Sequence, residues 1–192
     1  MSDNYGACVV LIPEPNSIPA EIEGGQHITL AYFGDDAIDD DLETFLIDRA
    51  TLVAQNWKPR TPIRVIGVDM FNDDAQVVLL DNTRESPAVQ MRFALLSDLK
   101  DENPELYAIF SQAEKYPTYT PHTTMGYVSE GYEPQVVDLP ILLRIESVGV
   151  WNGQSRTVIP LGEPTPIEHI GMPRRSGRYP WGSGKDPYQS SS

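Results

Sequence analysis

The chain has few of the residues on which several common classes of protein depend. It contains one cysteine, Cys8, in 192 residues, so no disulfide can form within the chain and a reducing compartment is expected. Its apolar runs are well short of the ~20 residues of a membrane helix, and the N-terminus lacks the pattern of a signal peptide. Lys and Arg number 14 against 28 Asp and Glu, and the net charge of −14 repels a phosphate backbone. These absences predict a soluble, cytoplasmic protein that binds neither membranes nor long nucleic acids.

The composition divides the chain near residue 162. Hydrophobic residues make up 40% of the chain, which is enough for the core of one domain at residues 1–162. Residues 163–192 are rich in proline and glycine and have no hydrophobic periodicity. Residues 172–192, at the end of this segment, are basic. They contain one acid, Asp186, and four basic residues: Arg174, Arg175, Arg178 and Lys185. We expect this C-terminal tail to be a flexible end, to fold back on the acidic domain, or to dock on another protein.

Hydrophobic periodicity predicts an α+β domain. Apolar residues at intervals of three and four predict helices over 39–57 and 87–99, and a short helical segment after Pro104. β-Branched or alternating runs predict strands over 8–12, 27–33, 63–71, 75–81, 122–128, 141–151 and 156–161. Turn residues at 72–74 and Asn152-Gly153 predict two hairpins.

One short pattern, histidine followed by any residue, threonine and an apolar residue, occurs twice. The two copies, His27-Ile28-Thr29-Leu30 and His122-Thr123-Thr124-Met125, use two of the three histidines. Alternate residues of a strand face the same side, so each copy presents one imidazole and one hydroxyl together. If the two strands flank one groove, two imidazoles and two hydroxyls converge there.

Such a group of side chains is suited to breaking a phosphodiester. Imidazole has an ordinary pKa of ~6.5, so one ring can remove a proton from the attacking oxygen while the other protonates the leaving oxygen. Threonine hydroxyls can donate to the non-bridging oxygens as negative charge develops. A single histidine on a strand is more often a structural residue, but the repeated pattern favours catalysis. The residues do not decide which histidine is the base, or whether water or a 2′-hydroxyl attacks.

No metal or other cofactor is required by this chemistry, and none is predicted. One cysteine is too few for a zinc site rich in sulfur, and the acidic run at 35–41 lacks the spacing of a calcium loop. We therefore interpret that run as the solvated start of a helix.

The chain resembles the two-histidine phosphoesterase superfamily, the LigT-like phosphodiesterases, over about residues 5–162. The resemblance rests on the two motifs, 95 positions apart, and on Pro121 directly before the second histidine. It implies a bilobal fold of two small antiparallel sheets with flanking helices, and a central cleft lined by the catalytic residues His27, Thr29, His122 and Thr124. It also implies metal-independent cleavage of 2′,3′-cyclic phosphates, 2′-5′ linkages or cyclic oligonucleotides.

The acidic composition favours a small nucleotide substrate over tRNA or long RNA. A small nucleotide makes few phosphate contacts and can be held by stacking of its base on aromatic rings. Three aromatic residues near the predicted strand ends are candidates for this role: Phe71, Tyr119 and Trp151.

The segment 171–184 is similar to one found in proteins of phages that infect actinobacteria. This second resemblance implies a viral protein that acts in the host cytoplasm or accompanies the virion. Its function would then be to degrade the cyclic oligonucleotide signals of bacterial immunity, or to dock on a phage structural protein through the tail. The alternatives are an RNA 2′,3′-cyclic phosphodiesterase and a non-catalytic nucleotide-binding or virion-associated module.

Overall fold

The computed structural model describes residues 6–15, 27–57, 62–116, 118–127 and 142–161, so the predicted tail lies outside the described residues. Within these ranges the chain forms seven strands and three helices, in the predicted order. They are β1 (Ala7–Pro13), β2 (Ile28–Tyr32), α1 (Asp40–Asn56), β3 (Pro62–Phe71), β4 (Ala75–Leu80), α2 (Pro87–Glu102), α3 (Pro104–Ala113), β5 (His122–Tyr127), β6 (Leu142–Asn152) and β7 (Ser155–Pro160). The predicted α+β class is confirmed. None of the helices in the described ranges is long and apolar enough to cross a membrane.

The acidic run before α1 forms the start of that helix. The Asp39 carboxylate accepts a hydrogen bond from the backbone N–H of Leu42 at 2.9 Å, and Asp40 and Asp41 lie in the exposed first turn. Carboxylates are stabilised at this end by the unpaired N–H groups and the helix dipole.

All strand pairs in the described residues are antiparallel, and they form one hydrogen-bonded path. The order is β2-β1-β6-β3-β4-β5, with β7 paired to β6. The two small sheets of the predicted fold are joined because β3 changes partner along its length. Its residues 62–64 pair with β6, whereas residues 65–71 pair with β4. With its ten residues, β3 is long enough to pair with β6 at one end and with β4 at the other.

The two ends of this path meet. Strands β2 and β5 lie at opposite ends of the order, yet they contact each other. The hydroxyl of Tyr119, just before β5, donates a hydrogen bond to the backbone carbonyl of Thr29 on β2 at 2.7 Å. The sheet therefore curves so that its two motif-bearing strands become neighbours.

The helices cover one face of this curved sheet. Leu46 of α1 and Leu95 of α2 pack in the same buried cluster as Leu11 of β1 and Ile28 of β2. The side chains on the other face of β2 and β5 are left partly accessible, and both motifs present residues there.

Candidate active site

The first motif places His27, directly before β2, and Thr29, on β2, at the accessible face of the sheet. Ile28 and Leu30 are fully buried, whereas His27 and Thr29 are half-buried. This burial follows the predicted alternation of a strand, with apolar side chains in the core and chemically active ones on the opposite side.

The second motif repeats the arrangement on β5. Thr123 and Met125 are buried, and His122 and Thr124 are half-buried. Each motif thus shows one imidazole and one hydroxyl on the accessible face of a strand, and the two strands are neighbours.

An indole ring lies against the first imidazole. The ring centroids of Trp151 and His27 are 4.5 Å apart, in an edge-to-face arrangement. The guanidinium of Arg156 lies 4.7 Å from the centroid of the same indole, and its Nη1 also donates to the backbone carbonyl of Gly153 at 2.8 Å. His27, Trp151 and Arg156 therefore form a row at one side of the site, with the indole in contact with both neighbours.

A phenyl ring lies against the second imidazole. The ring centroids of Phe71 and His122 are 4.8 Å apart, again edge to face. The Nδ1 atom of His122 is 2.9 Å from the backbone carbonyl oxygen of Thr120. A carbonyl can only accept a hydrogen bond, so Nδ1 carries the proton and Nε2 is the nitrogen left for proton transfer.

Tyr119 lies behind the first motif. Its hydroxyl donates to Thr29, and its ring is covered by the guanidinium of Arg92, 4.3 Å from the ring centroid. Burial raises the pKa of the Tyr119 hydroxyl, the positive charge of Arg92 opposes this shift, and Glu114 adds to it. The hydroxyl therefore keeps its proton and acts as a donor to the first motif.

The structure places every residue of the predicted site at one of the two motifs. Trp151 adjoins the first, Phe71 adjoins the second, and Tyr119 links the strands that carry them. Whether these aromatic rings bind substrate, and whether His27, Thr29, His122 and Thr124 perform catalysis, stay predictions.

Sequence reasoning missed two arginines, Arg92 and Arg156. Arg92 lies four residues after Ala88 and four before Leu96, which are both buried, so it occupies the apolar stripe of α2. An arginine at this helical spacing is a signal that its charge must be paired inside the protein. Arg156 is paired with Trp151 across the hairpin of β6 and β7, and the hairpin prediction could have located it beside the indole.

Within the ranges that the structure describes, no three His, Cys, Asp or Glu side chains are grouped so that they could hold a metal ion. A mechanism that needs no metal stays a prediction.

Comparisons with known proteins agree with the sequence resemblance. A family model described as the 2′-5′ RNA ligase superfamily matches residues 25–153, which include both motifs. Comparison with curated protein sequences finds no match.

The chain is also similar to solved structures. TT0787 of Thermus thermophilus has a TM-score of 0.58 at 11% identity, over 83% of this chain and 99% of that one. E. coli LigT complexed with 3′-AMP has a TM-score of 0.49 at 12% identity, over 82% of this chain and 95% of that one. Kluyveromyces marxianus Usb1 with uridine monophosphate has a TM-score of 0.41 at 14% identity, over 83% of this chain and 99% of that one.

TT0787 shares the fold of this chain, and the match to the family model spans both motifs. The chain belongs to the 2′-5′ RNA ligase superfamily and is a two-histidine phosphoesterase.

Proposed function

We propose that this phosphodiesterase cleaves a small nucleotide, cyclic or 2′-5′ linked, by paired-histidine catalysis without a metal. The observation that carries the proposal is the pairing of each motif histidine with one aromatic ring, Trp151 for His27 and Phe71 for His122. A base that stacks on either ring brings its phosphate close to an imidazole. Tyr119 is left out of this stacking pair because its hydroxyl is bonded to Thr29 and the guanidinium that covers its ring is buried, whereas the guanidinium on Trp151 belongs to the exposed Arg156.

In the proposed reaction one imidazole acts as the general base and the other as the general acid. One accepts the proton of the attacking oxygen, and the other, protonated at the start, gives its proton to the leaving oxygen. The new P–O bond forms as the old one breaks, and the hydroxyls of Thr29 and Thr124 donate to the non-bridging oxygens. The vicinal hydroxyl, which is the 3′-hydroxyl of a 2′-5′ linkage or the 2′-hydroxyl of a 3′-5′ linkage, would give a 2′,3′-cyclic phosphate as the 5′-oxygen leaves, whereas water would open such a cyclic phosphate. Nε2 of His122 is the atom that takes part, since Nδ1 is bonded to Thr120.

The charges around the site favour a small substrate. Arg92 is buried, and it is bonded to the Leu30 carbonyl and to Glu114. Arg156 lies on the indole beside His27. Long RNA is held by many phosphate contacts, and a chain of net charge −14 is poorly suited to provide them.

An RNA 2′,3′-cyclic phosphodiesterase is the second candidate, favoured by the description of the matched family, which names RNA. Degradation of cyclic oligonucleotide immune signals by a phage enzyme is a more specific form of the first candidate. Location in the host cytoplasm or on the virion, and docking of the tail at residues 163–192 on a phage structural protein, stay predictions.

A substrate screen tests the proposal. Wild type, His27→Ala and His122→Ala are incubated in EDTA with cyclic di- and trinucleotides, 2′-5′ oligoadenylate and nucleoside 2′,3′-cyclic phosphates, and products are identified by mass spectrometry. We expect cleavage by wild type and a loss of ~10²-fold or more in each variant, the size of a lost general acid or base. His169→Ala, the same substitution at the histidine outside both motifs, is the matched control and should retain the wild-type rate.

The other outcomes separate the alternatives. Cleavage restricted to 2′,3′-cyclic phosphates would favour the RNA-processing enzyme. Activity that EDTA abolishes and a divalent ion restores would reject the metal-independent mechanism. No cleavage of any compound would favour the non-catalytic binding module. The cleavage rate of the wild type should rise and then fall as the pH is raised, because one imidazole must be neutral and the other protonated.

A further inference from the structure

The buried guanidinium of Arg92 connects helix α2 to the first motif. Arg92 is 6% exposed, and its Nη1 donates to the backbone carbonyl of Leu30 at 2.7 Å. Its Nη2 donates to the carboxylate of Glu114 at 2.6 Å, at the C-terminal end of α3. A buried charge is costly unless it is paired and hydrogen-bonded, so its contacts must hold a specific arrangement.

Leu30 accepts this bond at an irregularity in β2. In the β1–β2 register, Val10 is opposite Thr29 and Val9 is opposite Ala31, so Leu30 is the extra residue of a β-bulge. As a result, Leu30 and Ala31 are both buried although they are consecutive. β-Bulges change the direction of the side chains around them and are frequent next to active sites. The bulge here directly follows Thr29.

Tyr119 binds the adjacent carbonyl of the same motif. Its hydroxyl donates to Thr29, and its ring lies against the guanidinium that binds Leu30. Tyr119 also lies three residues before His122, and Thr120, next to it, accepts the bond from His122. Consecutive residues of this segment thus hold the first motif and the imidazole of the second.

We propose that Arg92 and Tyr119 are positioning residues that fix the first motif relative to the second through the carbonyls of Leu30 and Thr29. Both of these bonds are made to backbone carbonyls, so the pair acts on catalysis through the separation and orientation of the motifs. The inference rests on the proposed catalytic roles of His27 and His122.

The most informative variant is Tyr119→Phe, which removes one hydroxyl and keeps the ring under Arg92. We expect kcat to fall by about 10- to 10²-fold, the size of a small displacement of reacting groups, with little change in KM. Tyr116→Phe is the matched control, since it removes an exposed hydroxyl three residues earlier in the same segment and should leave kcat unchanged. Arg92→Lys keeps the charge and should recover part of the activity that Arg92→Met loses.

Two readouts distinguish positioning from a purely structural role. The histidine ring signals in the NMR spectrum should move for both motif histidines in Tyr119→Phe, but not in Tyr116→Phe, whether or not a substrate is known. A lower melting temperature with unchanged kcat and unchanged histidine signals would overturn the inference. His27→Ala is assayed in parallel: an active His27→Ala refutes the proposed function, whereas an inactive His27→Ala beside a fully active Tyr119→Phe refutes the positioning role alone.

Discussion

Replacement of Gly149 by alanine tests the packing around His27. Gly149 lies in β6 opposite Val10, and it has no positive φ that would itself forbid a side chain. A Cβ atom there would lie 2.9 Å from Cγ2 of Val10, 3.1 Å from Nε1 of Trp151 and 3.3 Å from Cδ1 of Ile12. The missing side chain is therefore what allows the indole to lie over β6 and reach His27.

The size of the effect follows from these contacts. All three are shorter than the optimal separation of about 3.5–4.0 Å between carbon atoms. Val10 is fully buried, whereas Trp151 is half-buried, so the indole moves more readily. Overpacking costs about 1–3 kcal/mol, and the lower backbone entropy of alanine in the unfolded chain offsets about 0.4–1 kcal/mol. We expect Gly149→Ala to lower the free energy of unfolding by about 1–2 kcal/mol.

Two measurements check this expectation. Urea unfolding followed by circular dichroism gives the free energy of unfolding. In a background in which Trp57 and Trp181 are replaced by phenylalanine, the fluorescence spectrum reports the environment of Trp151 alone. Gly67→Ala is the matched control, because a Cβ at this strand glycine meets nothing within 4 Å and the variant should be as stable as wild type or slightly more so. Equal stabilities of the two alanine variants, with unchanged Trp151 fluorescence, would refute the packing argument.

Two further predictions concern stability. Burial raises the pKa of the Cys8 thiol from 9.0 to about 11, against an opposing effect of Arg156, so the folded state holds this proton more tightly than the unfolded state does. Its stabilising contribution is complete below pH 9 and is lost as pH rises to about 11, and the urea midpoint of wild type should therefore fall more steeply over this window than that of Cys8→Ala. Asp39→Ala removes the cap of α1 and should lower the free energy of unfolding by about 1 kcal/mol in the same assay. Asp39→Asn keeps an acceptor oxygen, and a loss as large as that of the alanine variant would argue against the capping bond.

The features that depend on neighbouring residues could be predicted from the sequence. The alternation in β2 follows from the pattern of apolar residues, and both predicted hairpins are present. Gly153 has a φ of 59°, and Asn72 and Asp73 have φ values of 54° and 65°, the left-handed region that these turn residues tolerate. In each case the local chemistry and the tertiary structure favour the same conformation.

The features that depend on distant pairing could not be predicted. The partner change of β3 leaves no local signal, because both halves of the strand are ordinary β sequence. The bulge at Leu30 is visible only once β1 and β2 are aligned. The predicted end of β1 at Ile12 was wrong by one residue, since a register shift after Ile12 allows Pro13, which lacks an N–H, to remain in the strand.

The two motifs are far apart along the strand order of the sheet, although their strands are neighbours in space. They lie on the first and last strands of a six-strand path, so their relative position through the sheet depends on five successive strand pairings. Three of those pairings contain register irregularities besides the bulge at Leu30, and small displacements accumulate along such a path. A direct connection between the end strands avoids this accumulation. The bond from Tyr119 to Thr29, supported by Arg92, is such a connection, and for this reason a single hydroxyl bonded to the backbone of the first motif can control the distance between two imidazoles.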